Sequence, residues 1–178
     1  MRMAATTFTL SSQAGARSRK AEMTAAPLFH VGILVNDLDA AIKRFSEVMD
    51  VSFVEPVVAH VDYLEESGRT SPCDLRVTYS NQGPPYIELL EAQGDGIYGV
   101  HQGEGVHHVG LWDADCEARL ETLQKRGMRT EAVQFTPDRR IIVAYFYPGH
   151  LHGTRLEIVD EGRREMMERW FAGAPFID

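Results

Sequence analysis

Residues 29–35, FHVGILV, and residues 107–111, HHVGL, are two copies of one short motif. A second pair of similar segments follows each of them, because residues 86–91 are YIELLE and residues 155–160 are RLEIVD. Each copy therefore contains a histidine near its start and a glutamate near its end. An internal repeat of this kind predicts two similar modules that fold alike.

The pattern of the first module predicts the order β-α-β-β-β. Apolar residues run together or alternate where strands are expected, and they recur at helical spacing between them. Asn36 or Asp37 is a suitable N-cap for the helix. We predict strands over Phe29–Val35, Val51–Val58, Leu75–Tyr79 and Tyr86–Ala92, a helix over Leu38–Val48 and a polar loop over Glu65–Pro72.

The second module repeats this order. Asp115 is placed to cap its helix, and Gly127 follows the helix where a C-terminal glycine is common. The predicted strands are Val106–Leu111, Arg129–Phe135, Ile141–Tyr147 and Thr154–Val159, with a helix over Asp115–Arg126 and a short closing helix over Arg163–Phe171.

These elements divide the chain into four parts. Residues 1–26 are an N-terminal extension rich in Ala, Ser, Thr and Arg, which we expect to be flexible. Residues 27–100 form the first module and residues 101–162 the second, and the two together make one α+β domain. A linker over residues 93–105 joins the modules, and residues 163–178 form a C-terminal helix and tail.

Charge and composition narrow the range of partners. The chain has 178 residues, of which 44% are hydrophobic, and a formal net charge of −8. This charge argues against binding to nucleic acid or to an anionic membrane surface. No apolar stretch is as long as a membrane-spanning helix requires, and two isolated cysteines, Cys73 and Cys116, suit a reducing compartment. We therefore expect a cytoplasmic protein.

Four residues of the repeat are candidates for a metal site. Two like halves usually pack about a pseudo-twofold axis, so His30 should face His108, and Glu88 should face Glu157. A single strand histidine is more often structural, and a single strand glutamate more often faces solvent, but four such residues at equivalent positions rarely arise by chance. A buried carboxylate needs a partner, and a cation is the simplest one. Two imidazoles and two carboxylates suit Zn, Co, Ni, Mn or Fe.

The motifs FHVGI, YIELLE and GVHHVG resemble those of the vicinal oxygen chelate superfamily, which includes glyoxalase I, methylmalonyl-CoA epimerase, extradiol dioxygenases and bleomycin-resistance proteins. The resemblance covers roughly residues 28 to 160 and is strongest to the epimerase-like and glyoxalase-like branch. It implies tandem βαβββ modules that form a cupped mixed sheet around a divalent ion. The implied ligands are His30, Glu88, His108 and Glu157. Without Glu88, the other three would still make a two-histidine, one-carboxylate site.

The resemblance also implies a reaction. A metal-dependent isomerase or lyase of this kind acts on a carbonyl or acyl-thioester compound through a metal-stabilised enolate. Glu157 or Glu88 would serve as the catalytic base, and the candidates for contacting the small-molecule substrate are Tyr145, Tyr147 and His152. Because the exposed edges of cupped sheets favour pairing, we expect a homodimer.

Two other functions remain open at this point. An extradiol-type dioxygenase would need Fe(II) in a three-ligand site open to oxygen, and the second glutamate argues mildly against it. A non-catalytic, antibiotic-binding protein usually lacks the metal ligands, so a complete set of four argues against that function. The metal content of the purified protein separates these functions.

Overall fold

The structure, a computed structural model, describes residues 26–176. The predicted N-terminal extension lies outside the described residues, except for residue 26. The strands are β1 (Leu28–Val35), β2 (Val57–Glu66), β3 (Arg69–Tyr79), β4 (Tyr86–Glu91), β5 (Gly105–Asp113), β6 (Thr130–Phe135), β7 (Ile141–Phe146) and β8 (Leu156–Asp160). The helices are α1 (Leu38–Met49), α2 (Cys116–Lys125) and α3 (Arg164–Phe171).

The eight strands form one closed barrel in the order β1-β4-β3-β2-β6-β7-β8-β5. Each module has the same internal order, and its first strand is parallel to its fourth. The modules meet where β1 pairs with β5 and where β2 pairs with β6, both antiparallel. The predicted α+β class and mixed sheet are confirmed, with the cup closed into a barrel.

Closure of the barrel removes the reason given for a homodimer. The expectation came from exposed sheet edges, but β2 and β6 pair with each other, and the eight strands within residues 26–176 leave no open edge. A closed barrel needs no second copy to cover its strands. The homodimer therefore stays a prediction, and open strand edges do not support it.

The first two helices begin at equivalent caps and cover the outside of the barrel. The side chain of Asp37 accepts a hydrogen bond from the backbone N–H three residues later, and Asp115 does the same. These bonds satisfy N–H groups that a helix start leaves without partners. Leu38 of α1 and Cys116 of α2 are buried against the strands of their own modules.

The third helix, α3, packs its two aromatic residues against the interior of the barrel. Trp170 and Phe171 are buried, and the Phe171 ring lies 4.6 Å from that of Tyr79 and 4.5 Å from that of Tyr86. The predicted closing helix is thus part of the core. No helix within residues 26–176 is long and apolar enough to cross a membrane.

One part of the first module was predicted wrongly. The predicted strand over residues 51–58 is largely irregular, because β2 begins only at Val57, after Pro56. The predicted polar loop over residues 65–72 is instead the end of β2, a tight turn and the start of β3. The two strands are therefore longer than predicted and form a continuous hairpin.

Two local features of the sequence explain why the pattern did not predict the β2–β3 hairpin. Ser67 and Gly68 both have positive φ, 51° and 76°, so a two-residue turn joins the strands. The pairing of β2 with β3 shifts register between Val61 and Leu64, and both of these residues are buried although they are three positions apart. This shift breaks the period of two by which strands are recognised.

The segment that connects the modules is packed rather than loose. Ile97 and Tyr98 are buried, and the backbone N–H of Ile97 donates a 2.6 Å hydrogen bond to Oε1 of Glu66. A short 3-10 turn over Val100–Gln102 follows. The linker predicted over residues 93–105 therefore contributes to the core beside the site described next.

Candidate metal centre

The four predicted ligands lie on adjacent strands. The strands β4, β1, β5 and β8 are neighbours in that order in the barrel. In the same order they carry Glu88, His30, His108 and Glu157. Because β1 and β5 are antiparallel and equivalent, the repeat axis passes between the two histidines. The structure therefore brings all four predicted ligands together.

Gly32 and Gly110 make room for the imidazole of the other module. Gly32 is the cross-strand partner of His108, and Gly110 is the partner of His30. A Cβ atom added at Gly32 would overlap Cε1 of His108, and one added at Gly110 would overlap Cε1 of His30. The spacing His-Val-Gly thus has a physical reason, since each module supplies one ring and the gap for the other.

The donor atoms of the four side chains converge. Nε2 of His30 lies 2.7 Å from Nε2 of His108. Oε2 of Glu88 lies 3.3 Å and 3.0 Å from these two nitrogens, and Oε2 of Glu157 lies 2.9 Å and 3.4 Å from them. The donor atoms of His30, Glu88 and His108 all lie within 4.8 Å of one another. Adjacent ligands of one ion, each at about 2.0–2.2 Å from it, are about 3 Å apart, so the spacing suits a shared cation.

Burial gives an independent test of whether a cation fits. The four side chains are almost completely buried, with exposed fractions between 0% for His108 and 6% for Glu88. Oε2 of Glu88 and Oε2 of Glu157 contact the imidazole nitrogens but form no hydrogen bond with them or with any other group of the described residues. Burying a carboxylate oxygen without a hydrogen bond is costly. The nitrogen and oxygen donors therefore fit a divalent ion such as Zn, Co, Ni, Mn or Fe.

The cluster shifts the pKa values of its own members. Burial by itself would lower the pKa of His30, but the charges of Glu157 and Glu88 outweigh it and raise the pKa to about 10. Burial by itself would raise the pKa values of both glutamates, but the two imidazoles outweigh it and lower them. These side chains therefore form one buried network of opposite charges.

Each glutamate has a tyrosine as its cross-strand partner. Tyr79 lies opposite Glu88, and Tyr145 lies opposite Glu157. The Tyr79 hydroxyl donates to Oε1 of Glu88, and the Tyr98 hydroxyl donates a 2.9 Å hydrogen bond to the Tyr145 oxygen. Burial raises the pKa of each of the three tyrosines well above its usual value, so their hydroxyls stay protonated.

His107 contacts His108 from outside the donor cluster. Its Nδ1 lies 2.9 Å from Nδ1 of His108, and its Nε2 lies 2.9 Å from the carbonyl oxygen of Ile97. Burial is the main cause that lowers the pKa of His107 to about 4, and the charge of Arg155 contributes. His107 is therefore neutral near pH 7.

A cavity of about 110 Å³ opens onto the two carboxylates. Glu88 and Glu157 line it together with the three tyrosines, and most of the remaining lining is apolar. Residues of α3, among them Met167 and Trp170, form part of its wall. An apolar chamber with a few convergent polar groups is typical of a small-molecule site.

The structure brings one of the three predicted substrate-binding residues to this cavity. Tyr145 lines the cavity, and its ring lies 5.4 Å from that of His108. Tyr147 follows the end of β7 and lies under the Arg129 guanidinium at 4.0 Å. His152 lies in the turn before β8. Neither Tyr147 nor His152 lines the cavity.

Sequence reasoning missed four residues that shape the site: Gly32, Gly110, His107 and Tyr98. The repeated His-Val-Gly spacing was a visible signal for the glycines. His107 aligns with Phe29 and not with His30, so the repeat gives no signal for it. Tyr98 lies in a segment of mostly polar residues and glycines, and within this segment the apolar pair Ile97-Tyr98 is the sequence signal for burial.

Several solved structures have a similar fold. A Streptomyces coelicolor methylmalonyl-CoA epimerase bound to 2-nitronate-propionyl-CoA is 22% identical, with a TM-score of 0.56 over 77% of this chain and 95% of that chain. The Mycobacterium tuberculosis methylmalonyl-CoA epimerase is 20% identical, with a TM-score of 0.55 over 78% and 93%. A hypothetical protein from Bacillus halodurans is 19% identical, with a TM-score of 0.57 over 77% and 95%. At these identities the likeness shows the fold.

A comparison with curated protein sequences gives no match. A family model described as the Glyoxalase/Bleomycin resistance protein/Dioxygenase superfamily matches residues 29–145, which is more than half of the chain. The matched range includes His30, Glu88 and His108. Together with the fold, this match confirms the resemblance found in the sequence. The chain belongs to the glyoxalase, bleomycin-resistance and dioxygenase superfamily, the vicinal oxygen chelate proteins.

Proposed function

We propose that this chain is a metal-dependent isomerase or lyase of the epimerase or glyoxalase type, acting on a carbonyl or acyl-thioester compound through an enolate. The observation that carries this proposal is the meeting of two imidazoles and two carboxylates at a small apolar cavity, where Oε2 of each carboxylate contacts the imidazole nitrogens but makes no hydrogen bond. A divalent ion held by His30, Glu88, His108 and Glu157 would supply a Lewis acid that stabilises the enolate charge.

The two glutamates are the proposed catalytic groups. Both line the cavity, and their strands flank the central pair of strands that carries the histidines. A carboxylate at this position can remove the proton next to the carbonyl carbon. If Glu88 and Glu157 work from two sides of the substrate, one removes the proton and the other returns it, which inverts the carbon. If one of them does both, the proton moves within the substrate.

The size of the cavity limits the substrate. An apolar cavity of about 150 Å³ holds a molecule the size of benzene. The chamber here is smaller, about 110 Å³, so it suits the reacting acyl portion of a compound and leaves a larger carrier outside. The Streptomyces coelicolor epimerase of similar fold binds an acyl-CoA compound. Short branched acyl thioesters are therefore the first substrates to test.

The first experiment measures metal content and proton exchange together. We expect untagged protein purified without chelator to contain about one divalent ion per chain. We expect His108→Ala and Glu157→Ala to lose this ion, whereas His101→Ala, which changes an exposed histidine, should keep it. Wild-type protein in D₂O should exchange the proton next to the carbonyl of a 2-methyl-branched acyl thioester or of a thiohemiacetal formed from a 2-oxoaldehyde, as followed by NMR.

Other outcomes would favour other functions. Protein that binds no metal even after reconstitution would overturn the proposal and leave a small-molecule binding protein. Ferrous iron, together with oxygen-dependent cleavage of a catechol, would identify a dioxygenase. The homodimer and the cytoplasmic location expected from the sequence stay predictions, and sedimentation of the purified chain tests the first of them.

A further inference from the structure

The two histidine ligands differ in what lies behind them. Nδ1 of His108 lies 2.9 Å from Nδ1 of His107, which is itself buried. The equivalent of His107 in the first module is Phe29, whose ring meets His30 edge-on at 4.3 Å. Nδ1 of His30 is buried and has no hydrogen-bond partner. Only the second of these two imidazoles has a polar neighbour on its far side.

The carbonyl group of Ile97 sets the direction of the hydrogen bonds that link it to His107 and His108. The carbonyl oxygen of Ile97 can only accept, so Nε2 of His107 must carry the hydrogen of their 2.9 Å bond. A neutral imidazole carries one hydrogen, and the bond to Ile97 uses it. Nδ1 of His107 therefore accepts, and Nδ1 of His108 donates.

This direction fixes the state of the other nitrogen of His108. A neutral imidazole that donates from Nδ1 has a lone pair on Nε2. That Nε2 is the atom that faces His30 and the carboxylates. The 2.7 Å contact between the two Nε2 atoms then requires His30 to donate. Oε2 of Glu88, 3.0 Å from the same Nε2, can also only accept, so a cation between the lone pair and the carboxylate would complete this side of the His108 ring.

We propose that His107 is a positioning residue of the metal centre, which holds His108 as the tautomer with its Nε2 lone pair turned toward the four donor atoms. The proposal rests on the proposed metal site and adds a residue that acts through a ligand. Hydrogen bonds behind a ligating histidine orient the ring and raise its basicity. The second module would thus offer a ligand prepared for the ion, whereas the first module would not.

The connecting segment extends this support to the barrel wall. The peptide that presents the Ile97 carbonyl is itself held at its N–H, which donates to Glu66 at the end of β2. The order of contacts is therefore Glu66, Ile97, His107 and His108. Through these contacts, the β2–β3 hairpin holds the carbonyl of Ile97, which is the acceptor that selects the tautomers of His107 and His108.

A matched pair of variants tests the proposal. His107→Asn keeps an acceptor near the position of Nδ1, and His107→Leu has nearly the same shape without an acceptor. Both lose the bond to Ile97 equally. We expect His107→Leu to lower the affinity for Co²⁺ about 10- to 100-fold and His107→Asn to restore most of it. Thr78→Val, which removes a buried hydrogen bond to Val54 elsewhere in the barrel, should leave the Co²⁺ affinity unchanged.

A second readout does not need metal. The ¹⁵N chemical shifts of metal-free, imidazole-labelled protein should show His108 with its hydrogen on Nδ1 in the wild type and in His107→Asn. We expect His107→Leu to lose this preference. A wild-type His108 with its hydrogen on Nε2 would overturn the inference, as would equal Co²⁺ affinity in the Asn and Leu variants. Failure of the wild type to bind any metal would overturn the proposed function, while the tautomer would still decide the role of His107.

Discussion

The two modules have the same strand order, and each contributes one histidine and one glutamate to the candidate metal centre, but the neighbours of these residues differ. In the second module, His108 contacts a buried histidine, and Tyr145 receives a hydrogen bond from Tyr98. In the first module, Phe29 stacks on Trp112 at 3.9 Å and gives His30 no polar partner. The equivalent positions of the repeat set where the donor atoms lie. The neighbours of each histidine set which of its ring nitrogens carries a hydrogen.

The reciprocal glycines offer the strongest test of the symmetry. Gly32→Ala and Gly110→Ala each place a methyl group where a ligand ring lies, so we expect each to displace an imidazole and abolish metal binding. Overpacking of this kind should also lower the free energy of unfolding by about 3 kcal/mol. Denaturant unfolding and metal analysis measure both effects.

The control for the glycine variants is Gly162→Ala, because a methyl group there meets only the carboxylate of Asp160 at 3.3 Å. It should keep the metal and unfold nearly like the wild type. A large loss in one glycine variant and none in the other would show that the two ring contacts are not equivalent.

The carboxylates test whether the two halves bind the ion equally. Oε2 of Glu88 and Oε2 of Glu157 lie at similar distances from the two imidazole nitrogens, 3.3 and 3.0 Å for Glu88 and 2.9 and 3.4 Å for Glu157. We therefore expect Glu88→Gln and Glu157→Gln to weaken metal binding to a similar extent, by about 100-fold. Competition with a chelator measures both affinities, and Glu47→Gln on the exposed side of α1 is the control. A much larger loss in one variant than in the other would show that the two halves bind the ion unequally.

Acid should weaken metal binding, and the proton involved should come from the first module. Glu157 and Glu88 outweigh burial and raise the pKa of His30 to about 10, so His30 holds a proton at pH 7 that an ion must displace. The apparent affinity should therefore rise about tenfold per pH unit from pH 7 toward pH 10, with release of about one proton. Titration calorimetry in buffers of different ionisation enthalpy counts the protons released, and affinity independent of pH would contradict the prediction.

The tyrosines should give the smallest difference between the halves. Tyr79 donates to a charged carboxylate, whereas Tyr98 donates to the neutral hydroxyl of Tyr145. We expect Tyr79→Phe to lower the free energy of unfolding by about 2 kcal/mol and Tyr98→Phe by about 1 kcal/mol. Urea unfolding of the two variants beside the wild type measures the difference. Equal losses would mean that the charge of Glu88 adds nothing to its hydrogen bond.

The meeting of the four side chains could be predicted from the sequence because the repeat shows each residue type at two equivalent positions. His30 and His108 align, as do Glu88 and Glu157, and a twofold axis brings aligned residues together. The helices were predicted for a related reason, because Asp37 and Asp115 are caps at equivalent positions. A residue pattern that occurs at two equivalent positions is less ambiguous than a short pattern that occurs once.

The remaining features depend on contacts that no local pattern contains. The β2–β3 hairpin was missed because a register shift between Val61 and Leu64 interrupts its alternation. The polar role of His107 depends on the carbonyl of Ile97, a backbone atom that any residue type could present. Sequence patterns report side-chain chemistry, so they do not show which backbone group a side chain will meet.

The reciprocal placement of Gly32 and Gly110 bears on how such a chain could arise. Because each module contains both a ring and the gap that receives one, two identical modules would make the same contact twice about a twofold axis. An ancestral gene for one module could therefore have encoded a complete centre as a symmetric pair. Duplication and fusion through residues 93–105 would have preserved that centre. In such a fused chain the two halves need not stay identical, and they differ here at the equivalent positions Phe29 and His107.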